Sequence, residues 1–352
     1  MKRGADAICA VVAALGLTLC ASTAGAIEKV KVATARTISD AGLYMAAFQG
    51  WFRDEGIDLD LIGFDSSTRM IAPLGVGDLD VGGGTVSAGF YNAVSRGIKI
   101  RIVADKGSIK PGYSFAALMV RKDHVESGRY RNYSDLKGMK VAVIGHGTSN
   151  SSALNEALKR GGRTFEDAET VELAFPQMIA ALRNKAIDAA MMTEPSITGA
   201  IDSGVAVKVA DYNDFYPNQQ TSVLIYSEKF IRERRETAQR FMRAYVRGLR
   251  YYHAALKDGH IAGDNADKVI DILTKNTGIT DPAVYRKLAP SGVDPDGRIS
   301  TDSLRNDLVL FKQLKLVDNP AITVDDIMDE SFVDDVVREL ARIMHREVAD
   351  VA

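Results

Sequence analysis

The stretch Met70 to Gly89, MIAPLGVGDLDVGGGTVSAG, occurs twice, and this repeat constrains the fold more than any other feature of the chain. Farther along, Met178 to Ile197 reads MIAALRNKAIDAAMMTEPSI. An ungapped overlay pairs Met70, Ile71, Ala72, Leu74, Asp80 and Thr85 with Met178, Ile179, Ala180, Leu182, Asp188 and Thr193. Each copy reads as a short helix, a turn, and an apolar-Asp-apolar strand (Leu79-Asp80-Val81, then Ile187-Asp188-Ala189) with a small or hydroxyl residue at its carboxyl end. That end is where open α/β sheets hold ligands. Two such units predict two similar lobes, with the functional site in the cleft between them.

The remaining segments fit the same plan. Lys29 to Ala35 alternates charged and apolar residues as a strand should, the loop Arg36 to Asp40 follows, and a helix is expected from about Ala41 to Glu55, capped by Ser39 or Asp40. A second strand, Ile57 to Ile62, exits through Gly63 to Thr68, and after the repeat a helix through Tyr91 to Arg96 leads into a strand over Ile98 to Ala104. Alternating strands and helices predict a mainly parallel sheet. Phe115 to Arg121 is a longer apolar strand that crosses to the second lobe. Lys140 to Ile144 then restarts the pattern, with the exit loop Gly145 to Ser152, a helix to Arg160 and a strand at Val171 to Leu173. Thr221 to Tyr226 reads as the return crossing, followed by a helical Glu228 to Leu256 and amphipathic helices that pack on lobe one. Lobe one is therefore expected from 27–116 and 222–352, and lobe two from 117–221.

The first 26 residues carry Lys2 and Arg3, an apolar run from Ala7 to about Leu19, and the small-x-small sequence Ala24-Gly25-Ala26, which together read as a secretory signal peptide cleaved after Ala26. Cys9 and Cys20 are the only cysteines, so the processed chain has no thiol for a disulfide framework, a nucleophile or a thiolate metal site. The formal net charge of −2 argues against a general nucleic-acid binder. The expectation is a protein outside the cytoplasmic membrane, monomeric, with no metal and no cofactor.

The richest polar cluster is Gly145 to Ser152, GHGTSNSS, set between a strand and a helix start. Backbone N–H groups at a helix amino end bind anions, and Thr148, Ser149 and Asn150 extend the donor array. The alternative is a cap and turn that satisfies its own helix. His146 lies in the same loop, where hydrogen-bonding duty and general-base chemistry both stand open. In lobe one, Gly84 and Thr85 end the Gly-rich strand, and Thr193 and Glu194 hold the matching position in lobe two. Arg36, Ser39, Asp40 and Tyr44 at the first exit, Ser66 and Ser67 at the second, and Phe175 and Gln177 in lobe two complete the candidate ligand-binding set. Arg36 could pair with an anionic group in a forked geometry. The five histidines never fall at i, i+4, and no Gly-x-Ser-x-Gly elbow occurs, so no catalytic set is read from the sequence.

Five features together resemble one family of solute-binding proteins, the group of sulfonate-, taurine- and nitrate-type receptors and NMT1/THI5-like proteins. They are the leader, Gly-Asp-x-Asp-x-Gly at Gly77 to Gly82, the loop GHGTSNSS, Asp-Ala-Ala-x-x-x-Glu-Pro at Asp188 to Pro195, and DPDGRISTDSL at Asp294 to Leu304. The resemblance covers essentially the whole processed chain. It implies an α/β, two-lobed periplasmic-binding-protein fold (type II) with two crossover strands, closing on a small solute and delivering it to the membrane permease of an ATP-driven importer. It also implies ligands such as sulfonates, aromatic or other carboxylates, or pyrimidine-like rings. The alternative within the same resemblance is a biosynthetic enzyme for a pyrimidine precursor.

Overall fold

The computed structural model describes residues 27–64 and 68–351, and nothing is stated of the side chains of 68 and 343–351. The leader, Ser66 and Ser67 lie outside the described residues. Ten strands build two five-stranded sheets: β1 (Glu28–Thr34), β2 (Ile57–Gly63), β3 (Val81–Thr85), β4 (Ile100–Ser108), β5 (Ala116–Arg121), β6 (Lys140–Val143), β7 (Glu169–Glu172), β8 (Ala189–Thr193), β9 (Ala206–Asp211) and β10 (Gln220–Ser227).

The first sheet has the order β2-β1-β3-β10-β4 and the second β7-β6-β8-β5-β9. In each, three strands run parallel, and the fourth position is an antiparallel strand: β10, which follows the return from lobe two, in the first sheet, and β5, the first strand after the outward crossing, in the second. An edge strand antiparallel to that one completes the sheet. The chain passes from lobe one to lobe two between β4 and β5 and returns between β9 and β10. Every residue of β5 and of β10 is buried. That is why AALMVR and TSVLIY read as continuous apolar runs rather than alternating ones.

The repeat is equivalent in structure as well as in sequence. Its strands begin and end at matched positions, Val81–Thr85 and Ala189–Thr193. The preceding helices, Thr68–Val76 and Phe175–Arg183, end in the same turn. Gly77 has φ 77° and Lys185 has φ 64°, and each donates its N–H to the matched leucine carbonyl, Leu74 or Leu182. Asp80 and Asp188 also do the same thing: Asp80 accepts the Lys31 N–H at 2.9 Å and Asp188 accepts the Lys140 N–H at 3.0 Å. Each thus ties the start of its own strand to the neighbouring parallel strand, β1 or β6. Half-buried Asp188 is further held by His124 Nε2 at 2.6 Å.

Two expectations need adjusting. The helix over 41–55 is two helices, Ala41–Phe48 and Trp51–Asp54, because Gly50 takes a left-handed φ of 81° between them. The helical region after β10 is likewise two helices, Glu228–Glu233 and Arg235–Ala254, interrupted at Arg234. Helix Thr301–Gln313 packs Leu304, Leu308 and Phe311 into a core with Ala33, Met70 and Tyr91 of lobe one.

Candidate functional site

The carboxyl ends of β1, β3, β6, β7 and β8 carry the candidate residues. After β1, the chain turns at Arg36, which is exposed and holds φ 54°. Its guanidinium lies within 3.5 Å of where a side chain at Gly63 would begin, so the glycine at the end of β2 makes room for it. Ser39, Asp40 and Tyr44 are buried instead. Asp40 Oδ2 accepts hydrogen bonds from the Thr37 N–H and the Thr34 hydroxyl, both at 2.9 Å, and Thr34 Oγ1 also meets the Tyr44 hydroxyl at 2.9 Å. Burial pushes the Tyr44 hydroxyl far above the ordinary phenol range, with the Asp40 carboxylate adding to it.

The group behind this wall is one that sequence reasoning missed. Lys106 on β4 is buried, donating to Ser39 Oγ at 2.8 Å and pairing with Asp40 Oδ1 at 3.0 Å. Its stem explains the glycines of β3: a Cβ at Gly83 would stand 2.7 Å from Lys106 Cδ and 2.7 Å from the Val223 carbonyl. A buried cation paired with a hydrogen-bonded carboxylate is a neutral, rigid unit. The neighbouring Asp105 is buried too. Its carboxyl accepts from Gln220 Nε2 at 2.5 Å, the Asp294 N–H at 2.6 Å and Ser108 Oγ at 3.1 Å. Burial raises it to about 6 despite those donors. The sequence reading ends this strand at Ala104, so Asp105 and Lys106 pass there for ordinary charges beyond it, whereas β4 continues to Ser108 and buries both.

In lobe two, the Gly145 to Ser152 loop opens helix Ser149–Arg160. Thr148 is its N-cap, accepting from the Ser151 N–H and donating to the Gly145 carbonyl at 2.7 Å. Asn150 is buried with both ends of its amide engaged: Oδ1 accepts from the Ile144 N–H at 3.0 Å, and Nδ2 donates to the Met191 carbonyl at 3.1 Å and the Tyr212 hydroxyl at 2.9 Å. Ser149 Oγ donates to the Thr221 carbonyl at 3.3 Å. His146 is tied to β7, with Nε2 at 2.8 Å from Thr170 Oγ1 and Nδ1 at 3.0 Å from Glu172. Gln177 caps its own helix by accepting the Ala174 N–H at 3.0 Å, and Phe175 is half-buried.

The exits of the two lobes touch. Ser87 and Thr148 form an antiparallel bridge, the Ala88 N–H donates to the Gly147 carbonyl at 2.8 Å, and the Ser149 N–H donates to the Val86 carbonyl at 3.0 Å. The end of β3, carrying Gly84 and Thr85, is thus stitched to the GHGTSNSS loop. The matching exit of β8 is held differently. Glu194 accepts from the Thr198 N–H at 3.1 Å and its hydroxyl at 2.8 Å, and it meets the Ala289 N–H of the lobe-one return segment. Burial raises the Glu194 carboxyl above its ordinary value, and those donors oppose the rise. Thr193 beside it is half-buried.

The fold and this joint define a two-lobed α/β chain of the periplasmic-binding-protein class. The chain belongs to the NMT1/THI5-like family, which matches residues 38–255. A Brucella abortus protein named as a binding protein is 28% identical over 201 residues, 56% of this chain and 58% of that one, so this chain spans little more than half of that relative. Among solved structures, the ligand-binding component of an ABC-type import system from Staphylococcus aureus, with zinc bound, superposes with a TM-score of 0.70 at 16% identity, covering 88% of this chain and 99% of that one. The periplasmic aliphatic sulphonate binding protein of Escherichia coli gives 0.66 at 18% identity, covering 86% and 92%. A desulfurization enzyme gives 0.61 at 16% identity, covering 89% and 99%. At these identities the likeness is one of fold.

Proposed function

We propose that this protein is the solute-capturing component of an ABC importer, acting in the periplasm after residues 1–26 are removed and handing its cargo to a membrane permease. The observation that carries the proposal is the pair of sheets with the same strand order, joined by two crossings and opening their strand exits toward a shared joint. Such a body can close about a solute, and the solute favours closure only through contacts it makes in the closed state. The ligand is a small organic compound: a sulfonate, an aromatic or other carboxylate, or a pyrimidine-like ring. Arg36 supplies an exposed cation at the β1 exit, and half-buried Phe64 and Phe175 at the β2 and β7 exits offer flat apolar surface. Thr85, Ser149, Thr193 and Glu194, at the exits of β3, β6 and β8, are the polar groups this reading assigns to the solute.

A desulfurization enzyme shares the fold, so fold alone does not separate capture from catalysis. Capture is favoured because the candidate general base, His146, is engaged by Thr170 and Glu172 of its own sheet. A thermal-shift screen across sulfonates, aromatic acids, pyrimidines and flavins tests the proposal. One class should raise Tm and be recovered unchanged from the complex. Conversion of the bound compound into a product would overturn it in favour of the biosynthetic alternative.

A further inference from the structure

Helix 149–160 of lobe two is fastened along its first two turns to the segment returning to lobe one and to lobe one itself. Ser149 accepts at its carbonyl from Gln219 Nε2 at 2.6 Å, and Glu156 Oε1 accepts from Asn306 Nδ2 at 3.1 Å. Between these contacts lies Asp307, on helix 301–313 of lobe one, with no exposed surface. Its Oδ1 accepts from the hydroxyl of Tyr216, on the segment returning to lobe one, at 2.6 Å. Among the described residues its Oδ2 makes no well-formed hydrogen bond, and neither does Ser152 Oγ, the lobe-two hydroxyl that faces this carboxyl.

We propose that Asp307 is a proton-operated latch between the lobes: protonated, it seats helix 301–313 against Ser152 and Tyr216, and ionised, it drives the joint apart. The inference rests on the binding-protein reading for its use, because a looser joint at higher pH would ease release of the solute. The physics is local. A neutral carboxyl can donate to Ser152 while accepting from Tyr216, whereas an ionised one is a buried charge that the Tyr216 and Ser152 hydroxyls only partly offset. Opening the joint hydrates it. Burial already pushes this carboxyl well above the carboxylate range, and the nearby Glu156 adds to the rise, while the Tyr216 and Ser152 hydroxyls oppose it. The titratable groups that face Asp307 are Tyr216, Glu156 with its partner Lys159, and Tyr91 from helix 88–95. Tyr216 also accepts from Asn306 Nδ2 at 3.0 Å, so the crossing segment takes part in the same contact.

Small-angle X-ray scattering of the ligand-free protein between pH 4 and pH 9 tests this without reference to any solute, so it can fail while solute capture stands. The radius of gyration should grow as pH rises, with the open-to-closed ratio climbing up to about tenfold per pH unit between the open-state and closed-state pKa values. Asp307→Asn should stay compact across the range. Ser152→Ala removes one donor to the ionised carboxyl in the closed state, so the pH at which the expansion levels off should move upward. A radius independent of pH in the native protein would overturn the proposal. So would the native pH response persisting in Asp307→Asn, or an unmoved levelling point in Ser152→Ala, which also decides the matter if Asp307→Asn does not fold.

Discussion

Asn150 shows how far a polar residue's chemistry depends on where its neighbours lie. In the sequence it is one donor among several in GHGTSNSS, but in the fold its amide joins the end of β6, the Met191 carbonyl of β8 and the Tyr212 hydroxyl. Asn150→Ala would take a hydrogen bond from the Ile144 N–H, the Met191 carbonyl and the buried Tyr212 hydroxyl, and it is expected to lower stability by about 2–4 kcal/mol in urea denaturation. Thr148→Ala, losing only a cap, should cost about 1 kcal/mol. Arg36 is the contrasting case. Exposed and clear of the core, it should tolerate Arg36→Ala with little change in Tm, while affinity for an anionic solute falls about tenfold or more in calorimetry, the scale of one charge-assisted hydrogen bond. Equal affinity in the two proteins would remove Arg36 from the site. That Asn150 is a strut and Arg36 an exposed cation was not legible from residue type, since both were polar residues at a strand exit.

At the level of elements, the repeat is the best-read part of the chain, and its turn gives a paired test. Gly77 and Lys185 occupy the same left-handed position after equivalent helices. A side chain there carries a steric cost that glycine escapes. Lys185→Gly should therefore stabilise the protein by about 0.5–1 kcal/mol, because the exposed Lys185–Asp123 ion pair it sacrifices is worth little. Gly77→Ala should destabilise by about 1–2 kcal/mol, since its Cβ would also stand 2.3 Å from the Lys229 side chain. A loss of stability in Lys185→Gly would show that the turn is held by the lysine rather than strained by it. The crossing strands were legible because full burial leaves uninterrupted apolar runs. The edge strand β9 was missed because its burial alternates and its sequence, AVKVAD, carries a lysine and an aspartate. The break at Gly50 was missed because the apolar spacing continues across it.

For the whole molecule, the repeat points to the strand exits as the candidate site, but which exits touch depends on how the lobes are set, and no local pattern encodes that. The carboxyls that burial and hydrogen bonding displace from their ordinary values belong to this scale, and they shape the response to pH. A carboxyl whose folded pKa exceeds its unfolded one binds more protons folded than unfolded between the two values, so stability falls as pH rises through that window. Asp105, raised to about 6 by burial, sets a window from the ordinary carboxyl value near 4 up to about 6, and roughly 2–3 kcal/mol of stability is lost across it. Asp188 acts in the opposite sense. Burial opposes its ionisation, yet the Lys140 N–H and His124 hold its carboxyl below the ordinary value. Its contribution is therefore present above that value and lost as pH falls through the folded pKa. The two effects leave a maximum between them, on the acid side of neutrality. Calorimetric scans should give a Tm a few degrees higher at pH 5 than at pH 7, and a fall again below pH 4. A Tm equal or higher at pH 7 would mean that the donors from Gln220, Asp294 and Ser108 outweigh the burial of Asp105.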